Sequence, residues 1–522
     1  MKTYPKSVGD IVAIGARRAP ARVAIRDRAG TERTYAELHE RSTRLANGLV
    51  GLGLKPGDRV AAWMEDCAEH VEVYFACAKA GLVVCPVNAR FTASEAAYIL
   101  ADSEARALLW TPGLEERVAT LADMSGELLL VSPPGSGLPA HEYEALVAGG
   151  ASLELPPPAS DSLFILGFTS GTTGKPKGAM LTHRSVLAIA RMNARSFRLS
   201  GWPAVALTGS MSFVAVVPAH VLCALSLGGT VTIMGKWDPD SLLYVIERDR
   251  ATFTYVPSPL LPEMTEALSR RRAAWQSLDS VLHSASRASA DHLGALYDVV
   301  GNRLIEGWGM TEHSGGLATA TVPSDYLGAT RQSGIFAGVG RAAVDVDIKV
   351  VDGQGAELPH DGVSVGELCL SSPALMAGYW RRPDATAAAL ADGWYRTGDA
   401  GTIDPDGYVT VSDRRTDLIV SGGANVYPSE VEICIAAIPE VREVAVVGVP
   451  HPRWGQAVVA VVVKRPDGSH LTEDAVIQHC RRELASYKKP TQVIFMTELP
   501  RTTSLKISRV RLREQVASRL TA

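Results

Sequence analysis

Thr169-Ser170-Gly171-Thr172-Thr173-Gly174-Lys175-Pro176-Lys177-Gly178 follows closely on the apolar run Leu163–Gly167. Four hydroxyls, three glycines and two lysines share these ten residues. Glycines let a backbone approach an anion, hydroxyls and N–H groups donate to it, and lysines neutralise it. The stretch therefore reads as a mobile loop that wraps a polyphosphate. It is not a Walker A loop. That motif places a Gly five residues ahead of the Gly of the Gly-Lys pair, where Thr169 stands, and a Ser or Thr after the Lys, where Pro176 stands.

Around this loop the chain has the bulk of a soluble globular protein. Its 522 residues are 46% hydrophobic and 21% charged, and length alone suggests three or four domains. Fifty-two basic against 56 acidic residues leave a net charge of −4, which carries no nucleic-acid footprint. Seven scattered cysteines, none in a C-x-x-C pair, read as reduced core thiols of a cytoplasmic protein. Residues 1–10 lack an apolar core, so no secretory signal is expected. The long apolar run Phe213–Met234 is broken by Pro218, His220 and Gly228-Gly229, which predicts a buried helix, turn and strand instead of a membrane span.

Helix and strand signals alternate through the first 150 residues. Helices are expected over 34–52 and 68–80, with strands at 59–63 and 82–86. Similar signals recur at 251–255, 281–283 and 304–306. Such alternation argues for α/β architecture with largely parallel strands. After Val339, short strands at 345–351, 366–370 and 407–411 point to a β-rich subdomain. Beyond Asp413–Asp417 comes a smaller alternating unit with helices at 430–437 and 473–485 and strands at 443–449, 456–463 and 492–496. Ser429 and Glu432 fit a capping box. The expected fold is α/β: a large N-terminal domain, 1–412, with α/β subdomains and a β-rich subdomain, a hinge at 413–417, and a small mobile α+β C-terminal domain, 418–522.

Four further segments carry chemistry. Gly307-Trp308-Gly309-Met310-Thr311-Glu312 sets a Thr and a carboxylate beside glycines and an aromatic ring, and a carboxylate near a polyphosphate suits Mg²⁺. Trp394–Asp399 ends in an acid able to accept from ribose hydroxyls. Residues 413–430 put charge and glycine at the interdomain break, and Pro500–Lys506 offers a lysine in a polar loop. Singly, Glu312 is a helix-starting carboxylate, Asp399 a turn residue, Trp308 a core ring and Lys506 a surface charge. The order and spacing of all five segments favour the functional reading.

These motifs resemble those of the adenylate-forming superfamily: acyl- and aryl-CoA synthetases, adenylation domains of non-ribosomal peptide synthetases, and firefly luciferase. The resemblance spans nearly the whole chain. Gly422–Glu430 and Trp454-Gly455-Gln456 bring it nearest to the acyl/aryl-CoA synthetases. It implies attack of a carboxylate on the α-phosphorus of ATP, then transfer of the acyl group to the thiol of coenzyme A, with AMP and pyrophosphate released. Thr169, Ser170, Gly171, Thr172, Thr173, Gly174 and Lys177 would hold the β- and γ-phosphates. Thr311 would donate to the α-phosphate, and Glu312 would bind Mg²⁺. Ser284, Ala285, Ser286, Gly307 and Trp308 would flank the adenine, and Asp399 and Arg414 the ribose. Lys506 would bridge the α-phosphate and the substrate carboxylate. The small domain would then rotate, carrying Gly422-Gly423 to the CoA tunnel and Trp454 to the CoA nucleotide.

Phe213, Val214, Val216, Val217, Gly309 and Met310 read as an apolar acyl pocket, with core packing the alternative for the valines. Amino-acid-activating relatives place an Asp at the site of Val214, and a buried Val cannot pair a cation. The expected substrate is a hydrophobic aromatic or medium-chain fatty acid. Asp413, Thr416 and Leu505 depart from the family pattern, as does Ser284-Ala285-Ser286. Leu505 stands where a Gly is usual, which implies altered switching between the two half-reactions. A carrier-protein-loading ligase, a luciferase-like oxidase and a non-catalytic nucleotide-binding relative are the alternatives, and assembly stays open between monomer and homodimer.

Overall fold

The structure is a computed structural model. It describes residues 4–122, 128–169, 176–235, 237–257, 260–284, 288, 290–329, 334–414, 417, 419–421, 424–426, 428–451, 455–466, 468, 470–484, 488–502 and 506–521, with backbone alone at 122, 413, 414, 420, 424, 425, 455, 520 and 521. By compactness the chain divides into two units: 1–348 with 370–395, and 349–369 with 396–522.

The first unit is built on two seven-stranded sheets. One runs, in spatial order, His141–Glu142, Leu129–Ser132, Ala105–Trp110, Arg59–Trp63, Val83–Val87, Leu163–Thr169 and Lys177–Thr182. The other runs Leu304–Glu306, Ser280–His283, Phe253–Tyr255, Ala204–Leu207, Thr230–Ile233, Val23–Arg26 and Glu32–Thr34. Each is parallel except for its last strand, which folds back as an antiparallel hairpin. Val83–Val87 is buried at every position, and so reads as a continuous apolar run and not as an alternating one. In parallel sheets ligands gather beyond the carboxyl ends of the strands. Those ends are where the chain places Thr169, the segment leading to Phe213, Ser284 and Gly307.

The expected helices form at Tyr35–Gly51 and Ala68–Ala80. Thr34 caps the first in a capping box with Glu37. The strand expected at 82–86 starts one residue later, because Gly81 turns with φ 68° and the Leu82 N–H closes the helix on the Cys77 carbonyl. The run 213–234 forms a π-helix, Val217–Val221, an α-helix, Leu222–Ser226, and a strand, Thr230–Ile233. No helix among the described residues is long and apolar enough to cross a membrane.

Gly366–Ser371 and Trp394–Ile403, each lying mostly in the second unit, are neighbours in one sheet, and the latter pairs antiparallel with Val409–Arg414. The C-terminal part of the second unit is a five-stranded sheet centred on Gly455–Lys464. Along Val441–His451, Val446 joins a core with Val431, Ile435 and Val476, whereas Ala445 and Val447 join one with Leu512 and Val516. Helices thus cover both faces. The expected capping box at Ser429 does not form. The helix begins at Pro428, so Ser429 lies inside it, and the Glu432 carboxylate instead accepts from the Val446 N–H and from Arg509.

Candidate active site

The glycine-rich stretch joins two antiparallel strands instead of a strand and a helix. Its residues Ser170, Gly171, Thr172, Thr173 and Gly174 lie outside the described residues, but both flanks are defined. Thr169 and Lys177 are register partners at the hairpin mouth, and the Thr169 hydroxyl stands 3.4 Å from the Lys177 carbonyl. The loop thus opens from the carboxyl end of a parallel strand.

Gly307–Glu312 leaves the carboxyl end of Leu304–Glu306. Trp308 is pinned at both backbone groups: its N–H meets the Thr319 hydroxyl at 3.1 Å and its carbonyl accepts the Ala318 N–H at 2.7 Å. Gly309 bridges Leu317 across the same turn. Met310 is extended, and Thr311–His313 forms one short 3₁₀ turn.

A strap formed by residues 372–380 holds that turn. The Met376 N–H donates to the Glu312 carbonyl at 2.8 Å, the Ser314 hydroxyl to the Ala374 carbonyl at 2.7 Å, and the Tyr379 hydroxyl to Glu312 Oε1 at 2.8 Å. His313 is fully buried, with Nδ1 3.3 Å from the Gly316 carbonyl and Nε2 2.8 Å from the Ser372 hydroxyl. A carbonyl can only accept, so Nδ1 carries the proton and Nε2 accepts from Ser372. Burial pushes the His313 pKa down to about 4, so the ring serves as a neutral brace. On its other edge the strap binds the exit strand of the glycine-rich loop: the Trp380 N–H reaches the Gly178 carbonyl at 2.7 Å, and the Met180 N–H reaches the Gly378 carbonyl at 2.9 Å. Lys177 Nζ lies 5.3 Å from the centre of the Tyr379 ring.

Gly167, Val214 and Thr311 meet at one point. A Cβ on Gly167 would come within 2.5 Å of Val214 Cγ2 and 3.2 Å of Thr311 Cγ2. A Cβ on Gly315, at φ 77°, would come within 2.5 Å of the Ala215 α-carbon. Val214, Val216 and Val217 are buried, Phe213 and Met310 half-buried. This segment is tethered to the other sheet by Asp66, whose carboxylate accepts from the Met211 N–H at 2.7 Å and the Ser210 hydroxyl at 3.2 Å. Burial raises the Asp66 pKa to about 6, and these two donors only partly offset it.

Ser284 is described, and its carbonyl stands 3.4 Å from the Tyr255 hydroxyl; Ala285 and Ser286 lie outside the described residues. Just before these segments His283 and Glu306, both buried at adjacent strand ends, pair through Nδ1 and Oε2, and burial raises the Glu306 pKa. In the second unit Asp399 is buried and faces the backbone of Arg414 across the ladder. The Thr502 N–H donates to the Lys506 carbonyl at 2.7 Å, and the Lys506 side chain is exposed. Gly422, Gly423, Trp454, Thr416 and Leu505 lie outside the described residues, as does the Arg414 side chain.

Within the first unit, then, Thr169, Lys177, Val214, Thr311 and Glu312 come together. Sequence reasoning missed Tyr379, His313 and Asp66. Each acts through a contact distant in the chain, and no local spacing signals it.

Residues 13–380 match the profile of the AMP-binding enzymes, and residues 430–506 that of the AMP-binding enzyme C-terminal domain. Feruloyl-CoA synthase of an Amycolatopsis species is 37% identical over 507 residues, 96% of this chain and 97% of the relative. Long-chain-fatty-acid–CoA ligase FadD13 of Mycobacterium tuberculosis is 32% identical over 93% of each chain. The crystal structure of ATP-bound MatB from Rhodopseudomonas palustris superimposes with a TM-score of 0.87 at 30% identity, covering 97% of this chain and 98% of that one.

Two substitutions test the packing described here. An acid whose folded pKa is raised loses stability as pH climbs from its unfolded pKa to its folded one. Asp66 therefore costs the native state stability that builds up between pH 3.8 and about 6 and stays in full above it. Asp66→Asn should gain up to about 3 kcal/mol on the parent across that window in denaturant titrations at several pH values. Gly167→Ala should cost about 1–3 kcal/mol by overpacking Val214 and Thr311, read as a lowered denaturation midpoint.

Proposed function

The chain belongs to the AMP-binding enzyme family, and on that premise we propose that it is an ATP-dependent acid–CoA ligase acting on a hydrophobic aromatic or medium-chain fatty acid. The supporting observation is the convergence of Lys177, Thr311 and Glu312 beside Val214 at the carboxyl ends of parallel strands. The similarity over nearly the full length to feruloyl-CoA synthase and to a fatty-acid–CoA ligase supports the substrate class.

A carboxylate is a weak electrophile with a poor leaving group. Attack of its oxygen on the α-phosphorus of ATP forms the acyl–phosphate bond and expels pyrophosphate. Attack of the CoA sulfur on the acyl carbon then forms the thioester, and AMP and a proton leave. Both steps crowd anions together, so positioning and charge stabilisation dominate. Thr169 and Lys177, with the loop Ser170–Gly174, clamp the departing pyrophosphate. Thr311 donates to the α-phosphate. Trp308, Gly307 and Ser284–Ser286 bound the adenine, Asp399 and Arg414 the ribose. Val214, Val217, Phe213, Gly309 and Met310 take the acyl group.

Among the described residues no three His, Cys, Asp or Glu side chains gather as a cage for a metal. A single carboxylate, Glu312, fits Mg²⁺, which keeps its waters and takes further ligands from nucleotide phosphates. When bound, Mg²⁺ neutralises charge on those phosphates. Lys506 handles the reacting carboxylate and α-phosphate, with 413–417 as the hinge between 1–412 and 418–522. Gly422, Gly423 and Trp454 meet CoA. The reaction belongs in the cytoplasm, where ATP and CoA are supplied.

The test is pyrophosphate release over a panel containing ferulate, benzoate and straight-chain fatty acids, each with ATP, Mg²⁺ and CoA. One or more hydrophobic acids should give pyrophosphate and the acyl-CoA. Turnover of an acid only with a phosphopantetheinylated carrier would assign the thiol acceptor differently. Lys506→Ala should slow acyl-AMP formation about 100-fold or more while sparing thioester formation from supplied acyl-AMP. Equal loss in both half-reactions would refute the role of Lys506.

A further inference from the structure

We propose that Tyr379 is a positioning residue for nucleotide activation, fixing Glu312 through its hydroxyl and Lys177 through its ring. This rests on the reading that Glu312 carries Mg²⁺ and that Lys177 meets the phosphates of ATP. Tyr379 is 8% exposed and belongs to none of the five segments that point to nucleotide chemistry. Its backbone is bound on the edge of Lys177–Thr182 through the bridge to Ala179, and its N–H donates to the Thr386 hydroxyl at 2.9 Å. The ring therefore has a fixed origin.

From that origin it meets two groups, one at its hydroxyl and one at its ring. A glutamate carboxylate turns freely about its last torsion, which has broad preferences. The Tyr379 O–H, 2.8 Å from Oε1, removes that freedom and leaves Oε2 with a set direction. A phenol has one proton to give. With that proton on Glu312, Tyr379 has none to give the Tyr395 hydroxyl 3.5 Å away. Lys177 has a long flexible stem, and its ammonium 5.3 Å from the ring centre lies within cation–π range. One side chain thus sets the distance between a carboxylate and a lysine that serve the same polyphosphate. Simple packing would be served equally by Phe, which has the ring but not the donor.

The experiment uses the full chain without any carboxylic acid, titrating Mn²⁺ by electron paramagnetic resonance in the presence of α,β-methylene-ATP. Affinity for the analogue without metal is measured by calorimetry. Tyr379→Phe should weaken Mn²⁺ binding about tenfold, the loss of one hydrogen bond to a charged group. Its metal-free affinity for the analogue should match the parent, because the ring over Lys177 remains. Tyr379→Leu should weaken both measurements, the second by about two- to fivefold. Parent-like Mn²⁺ binding in Tyr379→Phe, alongside a large loss in Glu312→Gln, would overturn the positioning role and leave the Glu312 reading intact. Parent-like binding in Glu312→Gln would overturn both. Loss of metal-free analogue affinity in Tyr379→Phe equal to that in Tyr379→Leu would reduce Tyr379 to a packing residue.

Discussion

The strap at residues 372–380 hydrogen-bonds to two segments that the chain itself keeps far apart. One is the 3₁₀ turn Thr311–His313; the other is Lys177–Thr182, the exit strand of the glycine-rich loop. A polyphosphate site needs a carboxylate and a lysine at a set separation. Two flexible side chains on separate loops would lose conformational freedom on each binding event. Backbone hydrogen bonds donated by Met376 and Trp380, and accepted by Gly378, meet that cost during folding. The neutral His313 and the Tyr379 hydroxyl then fix the turn and its carboxylate without adding a charge to the proposed polyphosphate site.

The same economy governs the acyl side. Gly167 leaves no room for a side chain, so Val214 and Thr311 press against the strand that feeds the loop. Any movement of the acyl segment is thereby felt by the residue assigned to the α-phosphate. Asp66 ties this segment to the neighbouring sheet through a buried carboxylate, which is held protonated or ionised by the balance between burial and two donors. Val214, Thr311 and the strand ending at Thr169 are therefore parts of one packed body, which suits the proposed reaction, in which carboxylate and α-phosphate must collide in line.

Much of this was legible in the chain. Alternating periodicity gave the parallel sheets, and helices at 35–51 and 68–80 lie within a residue of where apolar spacing put them. The ordered motifs singled out Thr169, Lys177, Thr311 and Glu312 because each carries its chemistry locally. What escaped was non-local. Nothing in Gly378-Tyr379-Trp380 says that the tyrosine will meet Lys177 and Glu312; that follows from its bridge to Ala179, some 200 residues earlier in the chain. Ser429 misled for the opposite reason: its spacing to Glu432 suits a cap, but tertiary contacts to Val446 and Arg509 claim the carboxylate.

The central claim is that the substrate carboxylate attacks the α-phosphorus of ATP. Turnover with a carboxylate labelled in both oxygens by ¹⁸O, followed by mass spectrometry of the nucleotide, tests it directly. The account predicts one ¹⁸O in AMP and none in pyrophosphate. Label appearing in inorganic phosphate, with ADP as the nucleotide product, would contradict it.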